Sequence, residues 1–217
     1  MTRSDFMPSP GLRIWAKDTS ELYFAGRNGS VMAYKNGEWK SIPAATGNAG
    51  DAESIFGTAS DNIFLTILGR LGYSNVCFRY DGKGWRTIWD VSMPSLSPTV
   101  YFGLPICMWG DKTDDSIWVA GLWLGRMRKD GMGTIRAIED LDPDGFYRIH
   151  GSARNNVFFC GDDGLLLHYN GSTLHRYTEF KGKGIRLMAV ACLEDDVFIV
   201  GDRYFGGGIF IHGKRIR

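Results

Sequence analysis

The stretch Ile14–Trp39, IWAKDTSELYFAGRNGSVMAYKNGEW, contains the pattern that decides the fold. It reads as an apolar strand, a polar pair at Ser20–Glu21, a second apolar strand ending in Gly26, a third strand, the turn Asn36–Gly37 and a fourth strand. A tight hairpin turn needs positive φ angles, which Asn and Gly adopt at low cost. This stretch therefore predicts a four-stranded antiparallel sheet.

The same pattern recurs four more times along the 217 residues, so the chain is a repeat array. The second residues of successive polar pairs are 41, 54, 40 and 40 residues apart, and the pairs are Ser20–Glu21, Asp61–Asn62, Asp115–Ser116, Asn155–Asn156 and Asp195–Asp196. The turns that follow them are Asn36–Gly37, Asp81–Gly82, Asp130–Gly131, Asn170–Gly171 and His212–Gly213. A period of about 40 residues with four short strands per unit is typical of β-propeller blades.

We therefore predict an all-β fold, a single-domain five-bladed β-propeller with four-stranded antiparallel blades. The repeats span approximately residues 12–43, 53–92, 105–140, 147–180 and 187–217, and residues 1–11 form an N-terminal arm. The arm could add a strand that closes the ring or could be loose, and a partner chain could complete the ring instead. The sequence leaves these alternatives open.

The composition and net charge of the chain argue against nucleic-acid and membrane partners. A formal net charge of +1 and a pI near 7.7 provide no field that would attract nucleic acid or an anionic membrane. The sequence shows neither the apolar segment of a secretory signal nor an apolar run long enough for a membrane span, so we expect a soluble, cytoplasmic protein without nucleic-acid or membrane partners. We also expect a monomer.

The four cysteines are predicted to be buried apolar residues. Cys77, Cys107, Cys160 and Cys192 lie in different repeats and have no C-x-x-C spacing, which argues against a zinc site or a compact disulfide framework. Geometry alone could show whether Cys160 and Cys192, in neighbouring repeats, form a pair.

The repeats at Ile14–Trp39 and at YRIHGSARNNVFFCGDDGLLLHYNGSTL (147–174) resemble a family of bacterial propeller repeats. That family has the form I-W-G-S-x-x-x-D-V-W-A-V-G-x-x-G-x-I-L-H-Y-D-G-x-x-W and is related to kelch-like and BNR propellers. The resemblance implies the propeller architecture, but such repeats occur in adhesins, lectin-like binders, assembly factors and enzymes alike. Of the BNR Asp-box, this chain keeps only remnants such as Lys129–Asp130–Gly131, so a sialidase-type activity is not implied.

The second repeat is longer than the others in two connections that are predicted to emerge on one face of the propeller. The extra residues lie in GRLGYSN (69–75) and in SMPSLSPTVYFGLP (92–105). Extra residues in the connections of one face favour a binding role for that face, which we call the loop face. Neutral drift of loop length is the alternative, because long surface loops cost little entropy.

The loop face is predicted to carry aromatic side chains beside charged and amide groups, the combination that a sugar or peptide site uses. The predicted ligand-binding residues are Arg27, Asn28, Arg70, Tyr73, Tyr101, Phe102, Trp123, Arg126, Asp162, Asp163, Arg203, Tyr204 and Phe205. The sequence thus favours a non-catalytic binding propeller for a carbohydrate or a protein segment. The alternatives are a glycan-processing, glycosidase-like enzyme on the same fold and a structural assembly module.

One loop resembles a calcium site. Asp140, Asp142 and Asp144, followed by Gly145, match the D-x-D-x-D-G opening of calcium-binding loops, in which alternate carboxylates bind a hard cation. The position of the bidentate Glu of an EF-hand is occupied by Gly151. An acidic turn without metal is therefore the alternative to a Ca²⁺ site, and we expect no other cofactor.

The sequence contains little that is typical of a catalytic site. No pair of histidines or nucleophile arrangement occurs at local spacing, and His150, His168, His175 and His212 are predicted to be structural. A glycosidase-like carboxylate pair from Glu53, Glu194 or the Asp140 loop would require two carboxyl groups about 5 to 10 Å apart across a pocket. The sequence predicts no catalytic residue.

Overall fold

The computed structural model describes residues 11–44, 50–68, 76–90, 107–114, 116–121, 124–128, 131–136 and 145–214. The chain divides into two compact units, Met1–Tyr101 with Arg128–Met132 and Phe102–Met127 with Gly133–Arg217. We call them the first and second unit and describe each by itself.

The described residues form antiparallel strands arranged in five sheets. Neighbouring strands along the chain pair with each other, which gives four sheets of four strands and one of three. The first two sheets contain β1 Gly11–Asp18, β2 Glu21–Gly26, β3 Val31–Lys35, β4 Glu38–Ser41, β5 Asp51–Ala59, β6 Asn62–Leu68, β7 Val76–Tyr80 and β8 Trp85–Asp90. The third contains β9 Cys107–Trp109, β10 Ile117–Ala120, β11 Leu124–Arg128 and β12 Gly131–Arg136.

The fourth and fifth sheets belong to the second unit. The fourth contains β13 Phe146–Ala153, β14 Asn156–Gly161, β15 Leu166–Tyr169 and β16 Leu174–Arg176, and the fifth contains β17 Ile185–Leu193, β18 Asp196–Arg203 and β19 Gly208–Lys214.

The helical elements of the described residues are two 3₁₀ turns, Asp162–Gly164 and Thr178–Phe180. None of the described helices is long and apolar enough to span a membrane.

Alternation along each strand builds the cores between sheets. In the first unit, Tyr23 and Ala25 of β2 face Ile63 and Leu65 of β6 in one cluster, and all four are fully buried. In the second unit, Phe158 and Cys160 of β14 pack with Leu187 and Ile199 of the fifth sheet. Side chains one residue apart point to opposite faces of a strand, so each sheet presents a separate set of residues to each neighbour.

A large aromatic and a glycine determine how closely consecutive sheets approach. A Cβ atom added at Gly57 would lie 2.7 Å from the Trp15 ring, and one added at Gly151 would lie 2.7 Å from the Trp109 ring. Such distances are shorter than van der Waals contact allows, so each indole occupies the space that a side chain on the next inner strand would need. Glycines at these two positions of β5 and β13 therefore make room for the indoles of the preceding sheets.

The structure confirms the antiparallel sheets. The first sheet runs from Gly11 to Ser41, beside a predicted first repeat of residues 12–43, but the alignment of the fifth repeat differs from the sequence pattern. The sequence pattern equates Val190 with Trp15, whereas pairing makes Ala191, opposite Phe198, the equivalent of Trp15, opposite Tyr23. The cause lies at the end of β17. The inner strands β1, β5 and β13 each have a register shift just before the turn, between Ala16 and Asp18, Gly57 and Ala59, and Gly151 and Ala153, whereas Cys192 and Leu193 pair with Val197 and Asp196 without one. The four cysteines are free and buried, as predicted.

Candidate functional site

The described part of the loop face in the second unit contains a cluster of interacting polar and aromatic residues. Its members are Tyr147 at the start of β13, Asp162 in the 3₁₀ turn after β14, Arg186 in β17, Asp202 in β18 and Tyr204 in the loop after β18. We call it the Asp162 cluster. All five lie at the same end of their strands, because antiparallel strands bring the start of one strand beside the end of the next.

Asp162 is the central acceptor of the cluster. The Tyr204 hydroxyl donates a hydrogen bond of 2.5 Å to Asp162 Oδ1, and this bond raises the pKa of Tyr204. Burial raises the pKa of Tyr147 most, and the negative charge of Asp162 and a hydrogen bond to it raise it further. Both phenols therefore stay protonated at neutral pH and serve as donors to the carboxylate.

Arg186 and Asp202 form the second interaction of the cluster. Arg186 donates from Nε and Nη2 to the two oxygens of Asp202 at 2.8 and 2.7 Å, in the bidentate geometry that suits a guanidinium. The hydrogen bond from Arg186 lowers the pKa of Asp202, so this carboxylate stays ionised and cannot serve as a general acid near neutral pH. The guanidinium carbon also lies 5.6 Å from the centre of the Tyr204 ring, within cation–π distance.

Three connections hold the cluster in place. The Asp163 carboxylate accepts a hydrogen bond of 3.1 Å from the Gly182 amide, and the Gly184 carbonyl accepts one of 3.0 Å from the Tyr204 amide. Gly164 has a φ of +72°, and a Cβ atom there would lie 2.1 Å from the Phe180 carbonyl oxygen. The loops at 162–164, 180–184 and 203–207 are thus joined by these two hydrogen bonds and by the close approach of Gly164 to Phe180, which fixes their side chains relative to each other.

One aromatic side chain of this face is fully exposed. Phe205 is 102% exposed and lies between Tyr204 and the pair Gly206–Gly207, whose φ angles are +99° and +95°. The Arg203 amide donates to the Gly207 carbonyl at 3.0 Å and closes the loop. The Asp162 cluster and Phe205 therefore offer a ligand an aromatic surface beside a guanidinium and phenol groups.

Several predicted residues lie where the sequence placed them. Asp162, Asp163, Tyr204 and Phe205 lie in second-to-third strand connections of the second unit, and Arg203 ends β18 beside them. Arg27 and Asn28 lie in the corresponding connection of the first unit, where Arg27 approaches Asp51 at 3.8 Å and Asn28 has a φ of 55°.

The structure places Arg126 in a strand. It lies within β11, its guanidinium pairs with Asp114 of the connection between β9 and β10, and it covers the Trp118 ring at 4.8 Å. Because β11 begins at Leu124, the connection that precedes it is too short to include residue 126. Its predicted role in ligand binding stays a prediction.

The remaining predicted residues lie outside the described residues: Arg70, Tyr73, Tyr101, Phe102, Trp123, Asp140, Asp142 and Asp144. In the part of the chain that is described, no three or more His, Cys, Asp or Glu side chains group as metal ligands would. The Ca²⁺ site at the Asp140 loop stays a prediction.

Sequence reasoning missed Tyr147, Arg186 and Asp202. Each lies inside a strand, next to the connection rather than in it, and sequence gives strand ends only to within a few residues. The available signal was alternation, because Arg186 is next to the buried Leu187 and pairs with Asp202, so both side chains had to point away from the core.

The histidines have structural partners. His150 Nδ1 accepts the Cys192 amide at 3.0 Å, and burial lowers the pKa of this imidazole. His168 stacks on Phe158 with ring centres 4.2 Å apart, and its Nε2 lies 2.9 Å from Asn156 Oδ1. These contacts support the structural interpretation of both residues.

No protein-family model and no curated protein matches the sequence. Among solved structures, YCF48 from Cyanidioschyzon merolae is 14% identical with a TM-score of 0.61, over 97% of this chain and 70% of that chain. The extracellular domain of a putative one component system from B. thetaiotaomicron is 14% identical with a TM-score of 0.66, over 100% of this chain and 29% of that chain. The GH74 xyloglucanase from Xanthomonas campestris is 11% identical with a TM-score of 0.67, over 95% of this chain and 36% of that chain. These structures are β-propellers, and the sheets of this chain have the β-propeller fold.

Proposed function

We propose that this chain is a non-catalytic binding module that recognises a carbohydrate or a protein segment through its loop face. The observation that carries the proposal is the fully exposed Phe205 beside the hydrogen-bonded Asp162 cluster. An exposed aromatic costs solubility and contributes nothing to a core, so its presence next to fixed polar groups favours ligand contact.

The chemistry of the cluster supports recognition better than catalysis. Both carboxylates already accept hydrogen bonds from within the chain, Asp162 from Tyr204 and Asp202 from Arg186. Hydrogen bonds between the loops reduce the entropy that ligand binding would otherwise cost. Phe205 supplies apolar contact area, while the rings and the guanidinium supply directional contacts to hydroxyl, amide or carboxyl groups.

The proposal extends to the loop-face residues outside the described part. Trp123 is proposed to contact the same ligand, because the second-to-third strand connections are predicted to emerge on one face. Tyr73 and Tyr101 stay predicted ligand-binding residues of the loop face. Substitution of Trp123 by Ala tests this extension separately from the Asp162 cluster.

The experiment is a glycan and peptide array screen of the wild-type protein, followed by affinity measurement for any hit with Phe205→Ala and Tyr204→Ala. Loss of an aromatic anchor should cost about 2 kcal/mol or more, which is roughly 30-fold in Kd. The melting temperature of the Phe205 variant should stay at the wild-type value, because its side chain has no buried contact to lose.

Arg154→Ala is the matched control. Arg154 lies in the turn between β13 and β14, at the opposite end of the strands, and its bond to Asp111 uses the backbone amide, which Ala retains. This variant should bind as the wild type does. Hits that survive the Phe205, Tyr204 and Trp123 substitutions but vanish in the Arg154 variant would place the site at the wrong end of the sheets.

A further inference from the structure

The charged side chains of the Asp162 cluster have their partners within the second unit. Arg186 donates to both oxygens of Asp202, and Asp162 accepts from the Tyr204 hydroxyl at 2.5 Å. The Tyr147 hydroxyl forms a further hydrogen bond with Asp162. A ligand that reaches the cluster therefore meets charges that are already paired or hydrogen-bonded.

An anionic ligand would have to compete with carboxylates of the chain for Arg186. Asp202 binds Nε and Nη2 of Arg186 at 2.8 and 2.7 Å, and the negative charge of Asp162 also acts on this guanidinium. A carboxylate or phosphate group at the cluster would therefore lie beside two carboxylates and share one cation that is already paired. Electrostatic interaction with the cluster does not favour such a ligand.

The same arrangement disfavours a cationic ligand. Asp162 already accepts hydrogen bonds from two phenol groups, and the Arg186 guanidinium lies 5.6 Å from the centre of the Tyr204 ring, in the cation–π position. A ligand ammonium or guanidinium would lie beside the positive charge of Arg186 or would have to displace it. The cluster therefore fits ligand groups that are polar but uncharged.

The backbone of the surrounding loops forms hydrogen bonds within and between these loops. The amides that donate to carbonyl groups of the same or a neighbouring loop include those of Leu165, Lys181, Arg203, Tyr204 and Gly206. A protein segment that binds as an added strand pairs its main chain with an unpaired backbone edge. Because these amides already have acceptors, recognition at this site depends on side chains.

Two side chains keep hydrogen-bonding groups that no described residue uses. Arg186 binds Asp202 through Nε and Nη2, which leaves the two N–H donors of Nη1. Asp163 accepts from the Gly182 amide through Oδ2 at 3.1 Å, which leaves Oδ1 as an acceptor. A hydroxyl group both donates and accepts, so a ligand with several hydroxyl groups can use both kinds of group.

We infer that the ligand of the loop face is an uncharged carbohydrate, whose hydroxyl groups contact Arg186 Nη1 and Asp163 Oδ1 and whose ring packs against Phe205. The inference rests on the proposed binding function and specifies the ligand class for it. A sugar ring offers apolar C–H groups to an aromatic side chain and hydroxyl groups to polar ones. Because this contact contains no ion pair with the ligand, its affinity should be insensitive to salt.

The test uses the full chain on an array of neutral, sialylated, uronate-containing and sulfated glycans, beside a peptide array. Neutral glycans should bind, and their Kd, measured by calorimetry, should change less than about twofold between about 50 mM and about 500 mM NaCl. Lys183→Gln is the matched control, because Lys183 is an exposed cation of the 180–184 loop outside the cluster. It should leave the Kd of a neutral glycan unchanged, whereas it would weaken binding of an anionic ligand.

Two further substitutions test the contacts themselves. Arg186→Lys keeps a positive charge beside Asp202 but loses the planar guanidinium, so the Kd of a neutral glycan should rise at least about 10-fold while the far-UV circular dichroism spectrum stays unchanged. Phe205→Tyr retains an aromatic ring and should bind as the wild type does, whereas Phe205→Leu should bind more weakly. The Phe205 pair keeps the inference testable if the Arg186 variant disturbs the loops.

The outcomes separate this inference from the proposed function. Hits that are confined to charged glycans or to peptides, and that are lost in the Phe205→Ala variant, would overturn the uncharged carbohydrate and keep the loop face as a binding site. A neutral glycan that binds the wild type and the Arg186→Lys and Phe205→Leu variants equally would overturn the inferred contacts. No hit on either array would overturn the inference together with the proposed function.

Discussion

At the scale of single residues, Glu21 shows how one buried carboxylate is retained inside a β array. Its side chain accepts hydrogen bonds from Tyr23 at 2.5 Å, Ser60 at 2.7 Å and Lys17 at 3.0 Å, and Lys35 approaches at 2.9 Å. Burial alone would raise the pKa of Glu21, but these four donors together lower it to about 2. The first polar pair of the repeat therefore anchors an ionised network.

The Glu21 network predicts how the free energy of unfolding decreases at acidic pH. A carboxyl group whose folded pKa lies below its ordinary 4.5 adds stability above that pH, and this contribution disappears as the pH falls from about 4.5 towards 2. Glu21→Gln should lower the free energy of unfolding at pH 7 by about 1 to 3 kcal/mol, because it leaves charged donors without their partner. Urea titrations at pH 7 and pH 3 measure both effects.

The loss in the Glu21→Gln variant should be smaller at pH 3 than at pH 7. Glu38→Gln, at an exposed position of β4, is the control and should match the wild type at both pH values. An equal loss at the two pH values would contradict the ionised network.

Alanine substitutions at two glycines distinguish two causes of lost stability, an unfavourable φ angle and a steric clash. Gly37 and Gly164 both have positive φ angles, +91° and +72°, but a Cβ atom at Gly37 would meet nothing within 4 Å, whereas one at Gly164 would lie 2.1 Å from the Phe180 carbonyl oxygen. Gly37→Ala should cost about 1 kcal/mol from the φ angle alone. Gly164→Ala should cost about 3 kcal/mol or more, because the backbone at Phe180 must also move.

Equilibrium unfolding of the two alanine variants measures the difference. Since Gly164 lies in the turn that holds Asp162, its variant should also weaken binding by the loop face, while the Gly37 variant should not. Equal losses of stability would show that the 180–184 loop yields at little cost.

At the scale of elements, the polar pair that precedes each second strand has a recurring structural role. Asn62 donates to the Thr58 hydroxyl and accepts from Arg79 Nε, both at 2.7 Å, and so joins three strands of the second sheet. Asn156 takes the same position in the fourth sheet, with Ser152 and His168 as its partners. The pair recurs in sequence because it satisfies polar groups beside the core, not because it binds a ligand.

The contribution of each polar pair to the free energy of unfolding should increase with the burial of its side chains. Asn62 is 1% exposed and holds the buried Arg79, so Asn62→Ala should cost about 3 kcal/mol by leaving a buried guanidinium poorly satisfied. Asp196 pairs with His212 at 2.7 Å, but these side chains are 31% and 47% exposed, so Asp196→Ala should cost less than about 1 kcal/mol. Thermal and urea unfolding of the two variants give the comparison, and a larger cost at Asp196 would contradict it.

The sequence predicted the strands better than it predicted the details within them. Alternation and turn dipeptides placed the first repeat to within two residues, because local backbone preference and burial agree there. The missing register shift at the end of β17 had no local signal, since one residue more or less in a bulge changes which side chains face the core without changing their composition. The sequence also did not show that Arg126 lies inside β11, because the length of the connection before this strand depends on sheet pairing.

At the scale of the whole molecule, the repeat explains the fold and leaves function to the loops. Asp162, Asp163 and Tyr204 could be chosen from sequence because a propeller repeat brings equivalent connections to one end of its sheets. Arg186 and Asp202 could not, since their roles arise from a contact across two strands.

The array also predicts how protection from hydrogen exchange is distributed. The second strands β6 and β14 are paired on both sides and buried over nearly all of their length, whereas β4 and β16 lie at sheet edges with mostly exposed side chains. Local opening requires the loss of fewer buried contacts at an edge than at a centre, so amides of β6 and β14 should exchange at least about 100-fold more slowly than those of β4 and β16. Native-state exchange followed by mass spectrometry measures this. Uniform protection across all strands of a sheet would mean that each sheet opens as one unit, and it would contradict the picture of sheets whose stability decreases from the second strand towards the edge.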